Sequence, residues 1–162
     1  MVMRPEKLEK YWTMGRSSPG SGNPDKPVRR YPTYEAARER YILSPPQAVG
    51  EPFLMDYMAY HSLRRDGEEW TWKFSPEVFG RSNKPDEWLT VGQRPVDLPG
   101  RKAIVYGEKS QLFDRDSALY LRGLGGGKIP IVAVPDARHH LMLDQPLAFV
   151  AALRAVLAFW SL

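Results

Sequence analysis

The chain has 162 residues, a length that suits one domain, and its +4 net charge and 43% hydrophobic residues are ordinary for a globular protein. The absence of cysteine excludes disulfides, thiolate nucleophiles and cysteine metal sites. No apolar run approaches the roughly 18 residues that a membrane span needs, so no membrane partner is predicted.

The same features bear on location and on charged partners. A chain without cysteine suits a reducing compartment, and residues 1–14 lack the apolar core of a secretory signal, so a cytoplasmic location is predicted. The densest basic stretch holds Lys26, Arg29 and Arg30 among prolines and glycines. Because no basic stripe or recognition motif accompanies it, we interpret it as solvated surface and expect no nucleic-acid partner.

The first third of the chain begins with a segment rich in glycine, serine and proline, so residues 1–30 are interpreted as a flexible N-terminal segment. Thr33 is a candidate N-cap for a helix over Tyr34–Leu43, which two prolines end. A second helix is predicted over Pro52–Arg64, where apolar residues cover a broad face.

The middle of the chain carries a turn signal at Asp66-Gly67 and an extended segment at Trp70–Phe74, where large aromatics alternate with polar residues. A helical turn is predicted at Glu87–Val91. Residues 31–100 are therefore expected to be mostly helical, without the strands that a parallel sheet requires.

The last third of the chain alternates between predicted strands and predicted helices. Strands are predicted at Ala103–Tyr106 and Ile129–Val134, and helices at Asp114–Leu124 and Gln145–Trp160. This order predicts a right-handed crossover and a parallel sheet. The apolar residues expected on one face of the last helix are Leu147, Val150, Leu153, Leu157 and Trp160.

A histidine loop separates the second strand from the last helix. It reads Arg138-His139-His140, with Asp144 and Pro146 further on. This order of features resembles the C-terminal part of the α/β-hydrolase superfamily: a strand, a short loop, a histidine, an acidic residue, a proline and an apolar helix. The register implies His139 as the general base, with Arg138 in place of the usual glycine. Neutral imidazole can take a nucleophile's proton near pH 7 and return it to the leaving group.

The resemblance also implies a carboxylate after the preceding strand, to orient the imidazole and stabilise its cation. There the sequence reads Gly107-Glu108-Lys109-Ser110, and Ser110 stands where aspartate is usual. Serine cannot balance an imidazolium charge. The acid is therefore expected to be Glu108, the leading local candidate, or Asp114, or a residue after the strand that precedes the lid in some members, which lies upstream of this chain.

The nucleophile of the family lies in a Gly-x-Ser-x-Gly turn between a strand and a helix. The chain has no such motif: near-matches that begin at Gly15, Gly20 and Gly80 have the wrong spacing or lack the last glycine. No aspartate elbow is present, and the oxyanion-hole donors belong near the missing turn. By itself the chain is expected to be inactive or nearly so.

Residues 31–100 resemble the lid that many members insert before their last two strands. Its aromatics Trp70, Trp72, Phe74 and Trp88 are candidates to line an acyl or aryl pocket, with a purely structural role as the alternative. Three histidines, two of them adjacent and none with a carboxylate at ligand spacing, predict no metal site, and no cofactor is expected.

The resulting prediction is a partial α/β-hydrolase fold. Residues 1–30 form the flexible segment, 31–100 a helical lid or cap, and 101–162 the strand-helix-strand-helix end of the core. The implied reaction is esterase-like hydrolysis of an ester, acyl or C–C bond in a small molecule. The missing N-terminal hydrolase half or a homo-oligomer is the expected protein partner. The alternative is a non-catalytic interaction protein that keeps the lid and sheet edge as a binding surface.

Overall fold

The computed structural model describes residues 28–74 and 94–161. The turn predicted at Glu87–Val91, the side chain of Trp88 and most of the N-terminal segment lie outside these residues. The two described stretches correspond to most of the predicted cap and to the predicted core.

Residues 28–74 contain most of the described part of the predicted cap; this segment, labelled the cap, forms two helices and a small antiparallel sheet. In chain order these elements are β1 (Arg30–Tyr31), α1 (Tyr34–Arg38), α2 (Pro52–Ser62), β2 (Leu63–Asp66) and β3 (Glu69–Trp72). The strand order is β1-β3-β2, with both pairings antiparallel. The sequence predicted only the extended segment at β3 and otherwise mostly helix. The three-stranded sheet corrects that expectation.

Helix α1 begins as predicted, since the Thr33 hydroxyl accepts a hydrogen bond from the Ala36 backbone N–H at 3.1 Å. It ends at Arg38, five residues before the predicted boundary. The N–H of Tyr41 bonds back to the carbonyl of Arg38, three residues earlier, and Leu43 beyond this turn is buried. The chain therefore leaves the helix before Leu43, which lies in the interior.

Helix α2 ends at Ser62, before the predicted Arg64, because Leu63 and Arg64 pair with Trp72 and Thr71 in the sheet. The hairpin between β2 and β3 turns at Gly67, whose φ of +67° is unfavourable for residues with a side chain. The turn signal at Asp66-Gly67 is thus confirmed.

The core residues follow the predicted alternation. Their elements are α3 (Arg94–Asp97), β4 (Ile104–Gly107), α4 (Arg115–Leu124), β5 (Ile131–Val134), α5 (Leu141–Asp144) and α6 (Pro146–Ser161). Strands β4 and β5 pair in parallel, from Ile104↔Ile131 to Gly107↔Val134. The Asp114 carboxylate caps α4 by accepting from the Ser117 backbone N–H at 2.9 Å. The short helix α5 was not predicted.

Helix α6 has two adjacent apolar faces. Phe149 and Ala152 pack against a cluster at the end of β5, and Val156 is buried one turn further on. The face that the sequence pattern singled out is instead largely exposed: Leu147 is 85% exposed and Leu157 is 50% exposed. Within the described residues, therefore, α6 carries an apolar strip that no other element covers.

Candidate functional site

The end of β4 and the histidine loop touch each other at Gly107. A Cβ atom on Gly107 would lie 2.0 Å from the carbonyl oxygen of Arg138 and 2.5 Å from that of Ala137. The backbone N–H of Lys109 donates to the Ala137 carbonyl at 2.8 Å. Glycine is required here because only its backbone leaves space for the loop.

The contact brings His139 next to Ser110, the position at which the resemblance implies an acid. Nδ1 of His139 lies 3.1 Å from Oγ of Ser110. Ser110 is buried, and its Oγ also accepts from the backbone N–H groups of Leu112 at 3.3 Å and Phe113 at 3.2 Å. The ring of His139 is only partly buried. The structure therefore joins the predicted imidazole to the serine that replaces the usual aspartate.

The two acid candidates within the described residues have other partners. Glu108 is exposed, and its carboxylate accepts from the backbone N–H of Asp136 at 3.4 Å. Asp114 caps α4. Among the described residues no carboxylate contacts the His139 ring, so neither candidate is brought to the imidazole.

Arg138, which departs from the family pattern, bonds to Asp144. The Asp144 carboxylate is only 4% exposed and accepts from the Arg138 backbone N–H at 2.7 Å and from its guanidinium at 3.1 Å. These two hydrogen bonds to one carboxylate connect the start of the histidine loop to α5. In the sequence, Asp144 served only to identify His139 as the predicted base. The spacing between Arg138 and Asp144 did not predict the ion pair that they form.

The cap docks on the histidine loop through residues 44–50. The Gln47 side-chain oxygen accepts from the His140 backbone N–H at 2.8 Å. A Cβ on Gly50 would lie 2.6 Å from the carbonyl oxygen of Asp144, so these backbones also touch. The backbone groups of Ser44 and Pro45 also lie close enough to the His140 ring to raise its pKa. No motif in the sequence predicted this contact between the cap and the loop.

Both imidazoles of the loop are held towards their neutral forms. Burial lowers the pKa of His139 below 6.5, and the neighbouring charge of His140 lowers it further. Burial also lowers the pKa of His140, while the carbonyls of Ser44 and Pro45 oppose that shift. A neutral imidazole is the form that proton transfer near pH 7 requires.

A small cleft of about 120 Å³ opens beside His139. Its lining combines the cap loop with the ends of the core loops: Pro45, Pro46, Gln47, Lys109, Gln111, Arg138 and His139. Such a volume suits a small group rather than the roughly 300 Å³ or more of a drug-sized ligand pocket.

The three predicted pocket aromatics within the described residues lie in the cap. The Trp70 ring packs edge-on to Tyr34, with 5.3 Å between centroids, and Trp72 stacks on Phe74 at 6.1 Å. They do not line the cleft beside His139. Their contact with a substrate stays a prediction.

The described residues offer neither a metal cluster nor a membrane-spanning helix. No cluster of three or more histidine, aspartate or glutamate side chains there could hold a metal ion. None of the helices there is both long and apolar enough to cross a bilayer.

Comparison with known proteins identifies the fold. No protein-family model and no curated protein matches the sequence. An esterase from Mycobacterium tuberculosis is similar in structure with a TM-score of 0.62 and 17% identity, over 97% of this chain and 52% of the esterase. E-2-(acetamidomethylene)succinate hydrolase gives 0.62 and 17%, over 96% of this chain and 53% of that one.

A thioesterase domain from the curacin biosynthetic pathway is similar with a TM-score of 0.53 and 14% identity, over 82% of this chain and 44% of the domain. The chain thus spans about half the length of the structures that it matches. The strand-helix-strand-helix order of the core agrees with this likeness. The chain has a partial α/β-hydrolase fold, as its sequence predicts.

Proposed function

We propose that this chain is the C-terminal portion of an esterase-like hydrolase and that His139 is the general base of the completed site. The observation that carries the proposal is the contact between His139 and Ser110, 3.1 Å apart across two loops. It supports the proposal because it places the imidazole against the loop in which the resemblance implies the acid, although a serine stands there, and because it lies beside a cleft.

The described core also has surfaces suited to the rest of such a fold. Parallel sheets are normally covered on both faces and contain more than two strands. Among residues 28–74 and 94–161, β4 and β5 pair only with each other, and α6 exposes an apolar strip that includes Leu147, Val150 and Leu157. Both features support a second stretch of protein, either an N-terminal hydrolase half or another copy of the chain.

That second stretch would supply the missing chemistry. The sequence has no Gly-x-Ser-x-Gly turn, so the nucleophile and the oxyanion-hole donors come from outside it. We infer the same for the acid, because Ser110 is uncharged and Glu108 bonds to Asp136 instead of the imidazole. Alone, the chain hydrolyses no ester by this mechanism.

The proposed substrate is a small molecule with an ester or related acyl bond. The cleft beside His139 would hold its reacting end, against the cap loop at Pro45, Pro46 and Gln47. The aromatic cluster of Trp70, Trp72 and Phe74 remains the candidate surface for a larger acyl or aryl part. A cytoplasmic location is part of this proposal.

Expression of the longest reading frame that includes this sequence tests the proposal. We expect it to encode a Gly-x-Ser-x-Gly turn and its product to hydrolyse para-nitrophenyl acetate, while residues 1–162 alone stay at background. His139→Ala should lower kcat at least about 10³-fold, since removal of a triad residue costs roughly this much or more. The matched control is His61→Ala, because His61 is exposed and its ring packs at a tilt against Tyr57, away from the histidine loop.

An active longer product that is insensitive to His139→Ala contradicts the base assignment. A reading frame without the nucleophile turn favours the second candidate, a non-catalytic binding protein built on the hydrolase fold. The uncharged Ser110 in the acid position is the observation that supports this alternative. It predicts a stable assembly that covers the open strand edge.

A further inference from the structure

The hydroxyl of Ser110 has a nearly complete set of hydrogen bonds. A serine Oγ offers two acceptor lone pairs and one proton. The backbone N–H groups of Leu112 and Phe113 both donate to it, which uses its acceptor capacity. What remains is the O–H, and the third neighbour of Oγ is Nδ1 of His139.

We propose that Ser110 is a positioning residue that donates its hydroxyl proton to Nδ1 of His139 and so fixes the neutral imidazole as the Nε2–H tautomer. A bond in the opposite direction would give Oγ three donors and leave its proton without an acceptor. Such an arrangement leaves a buried donor unsatisfied, which costs about 1–3 kcal/mol.

This tautomer is the reverse of the one that a general base uses. A base needs its proton on Nδ1, bonded to the acid, so that Nε2 can accept the proton of the nucleophile. With the proton on Nε2, His139 donates a hydrogen bond to an oxygen acceptor in the cleft. Within this chain Ser110 therefore holds His139 in the form that cannot act as a base, and the acid that completes the site has to replace Ser110 at Nδ1 before His139 can accept the nucleophile's proton.

The adjacent His140 provides an internal contrast. The backbone carbonyls of Ser44 and Pro45 favour a proton on its ring, whereas its Nε2 is buried and has no hydrogen-bond partner among the described residues. We therefore expect the neutral ring of His140 to carry its proton on Nδ1. The two neighbouring histidines are thus expected to carry opposite tautomers.

The inference deepens the proposed function. The tautomer itself follows from this chain, and only the group that would lie opposite Nε2 in a completed site depends on the proposed function. The tautomer can be measured on this chain alone by long-range ¹H–¹⁵N correlation of labelled histidine at a pH where the rings are neutral. We expect His139 to be protonated on Nε2 and His140 on Nδ1, with His139→Gln and His140→Gln assigning the signals. A proton on Nδ1 of His139, or an averaged pattern like that of exposed His61, overturns the proposal.

The variant Ser110→Asp tests the cause. A carboxylate only accepts, so Nδ1 of His139 should take the proton, the tautomer should reverse, and the pKa should rise by about 1 unit or more. The control Leu119→Glu adds the same charge at an exposed position of α4 that does not line the cleft, and it should leave the tautomer unchanged. Nδ1 that stays unprotonated in Ser110→Asp contradicts the inference. Inactivity of a longer hydrolase would contradict only the proposed function.

Discussion

Gly107 at the end of β4 lies against the backbone of Arg138 so closely that a Cβ would come within 2.0 Å of the Arg138 carbonyl oxygen. Because that oxygen belongs to the backbone, it cannot rotate away as a flexible side chain can. The position of the histidine loop therefore depends on a residue without a side chain.

Gly107→Ala should lower the free energy of unfolding by at least about 2 kcal/mol, because inserting a methyl group into tight packing forces the loop to move. Urea denaturation followed by circular dichroism measures the change. The matched control is Gly123→Ala inside α4, where a Cβ meets nothing within 4 Å. It should be stabilising by up to about 1 kcal/mol, since alanine favours helix. Equal effects of the two substitutions would contradict the close approach.

The bond between Arg138 and Asp144 should contribute measurably to stability. Asp144→Ala leaves the Arg138 backbone N–H without its acceptor, so we expect a loss of about 1–3 kcal/mol in thermal or urea unfolding. The control is Glu68→Ala, because Glu68 is 99% exposed and pairs weakly with Arg65 at 3.5 Å. It should leave stability unchanged. A tolerated Asp144→Ala would show that the loop is held by other contacts.

Acid should destabilise the chain from near neutral pH downwards. The pKa values of His139 and His140 are both lowered below 6.5, so the unfolded state binds more protons than the folded state in this range. This contribution to stability is complete above the unfolded pKa and falls as the pH decreases below it. Urea midpoints between pH 8 and pH 5 should show the slope, and His139→Gln with His140→Gln should flatten it. An unchanged slope in the double variant would rule out this origin.

The exposed strip of α6 should make the isolated chain self-associate. We expect Leu157→Glu combined with Val150→Glu to reduce the association seen by analytical ultracentrifugation without loss of helix content, because both side chains are largely exposed. Val156→Glu places the same charge on the buried face of the same helix and should unfold it. A chain that is monomeric before any substitution would contradict this prediction and weaken the case for a covering partner.

The sequence by itself determined the elements whose signals are local. Thr33 and Asp114 cap their helices through bonds within three residues, and the short apolar runs became the paired strands β4 and β5. The spacing from His139 to Asp144 and Pro146 predicts His139 as the base, and this assignment stays a prediction. These signals can be read without knowing the fold, because each depends on neighbouring residues.

Only the tertiary structure decided which groups meet. Ser110 and His139 are 29 positions apart, and Gln47 and His140 are 93 apart, so no local pattern could pair them. The strands β1 and β2 were missed for the same reason: they exist because residues such as Leu63 find partners across the sheet. Contacts between distant segments depend on how the whole chain packs. Packing therefore decided whether His139 faces a carboxylate or a hydroxyl.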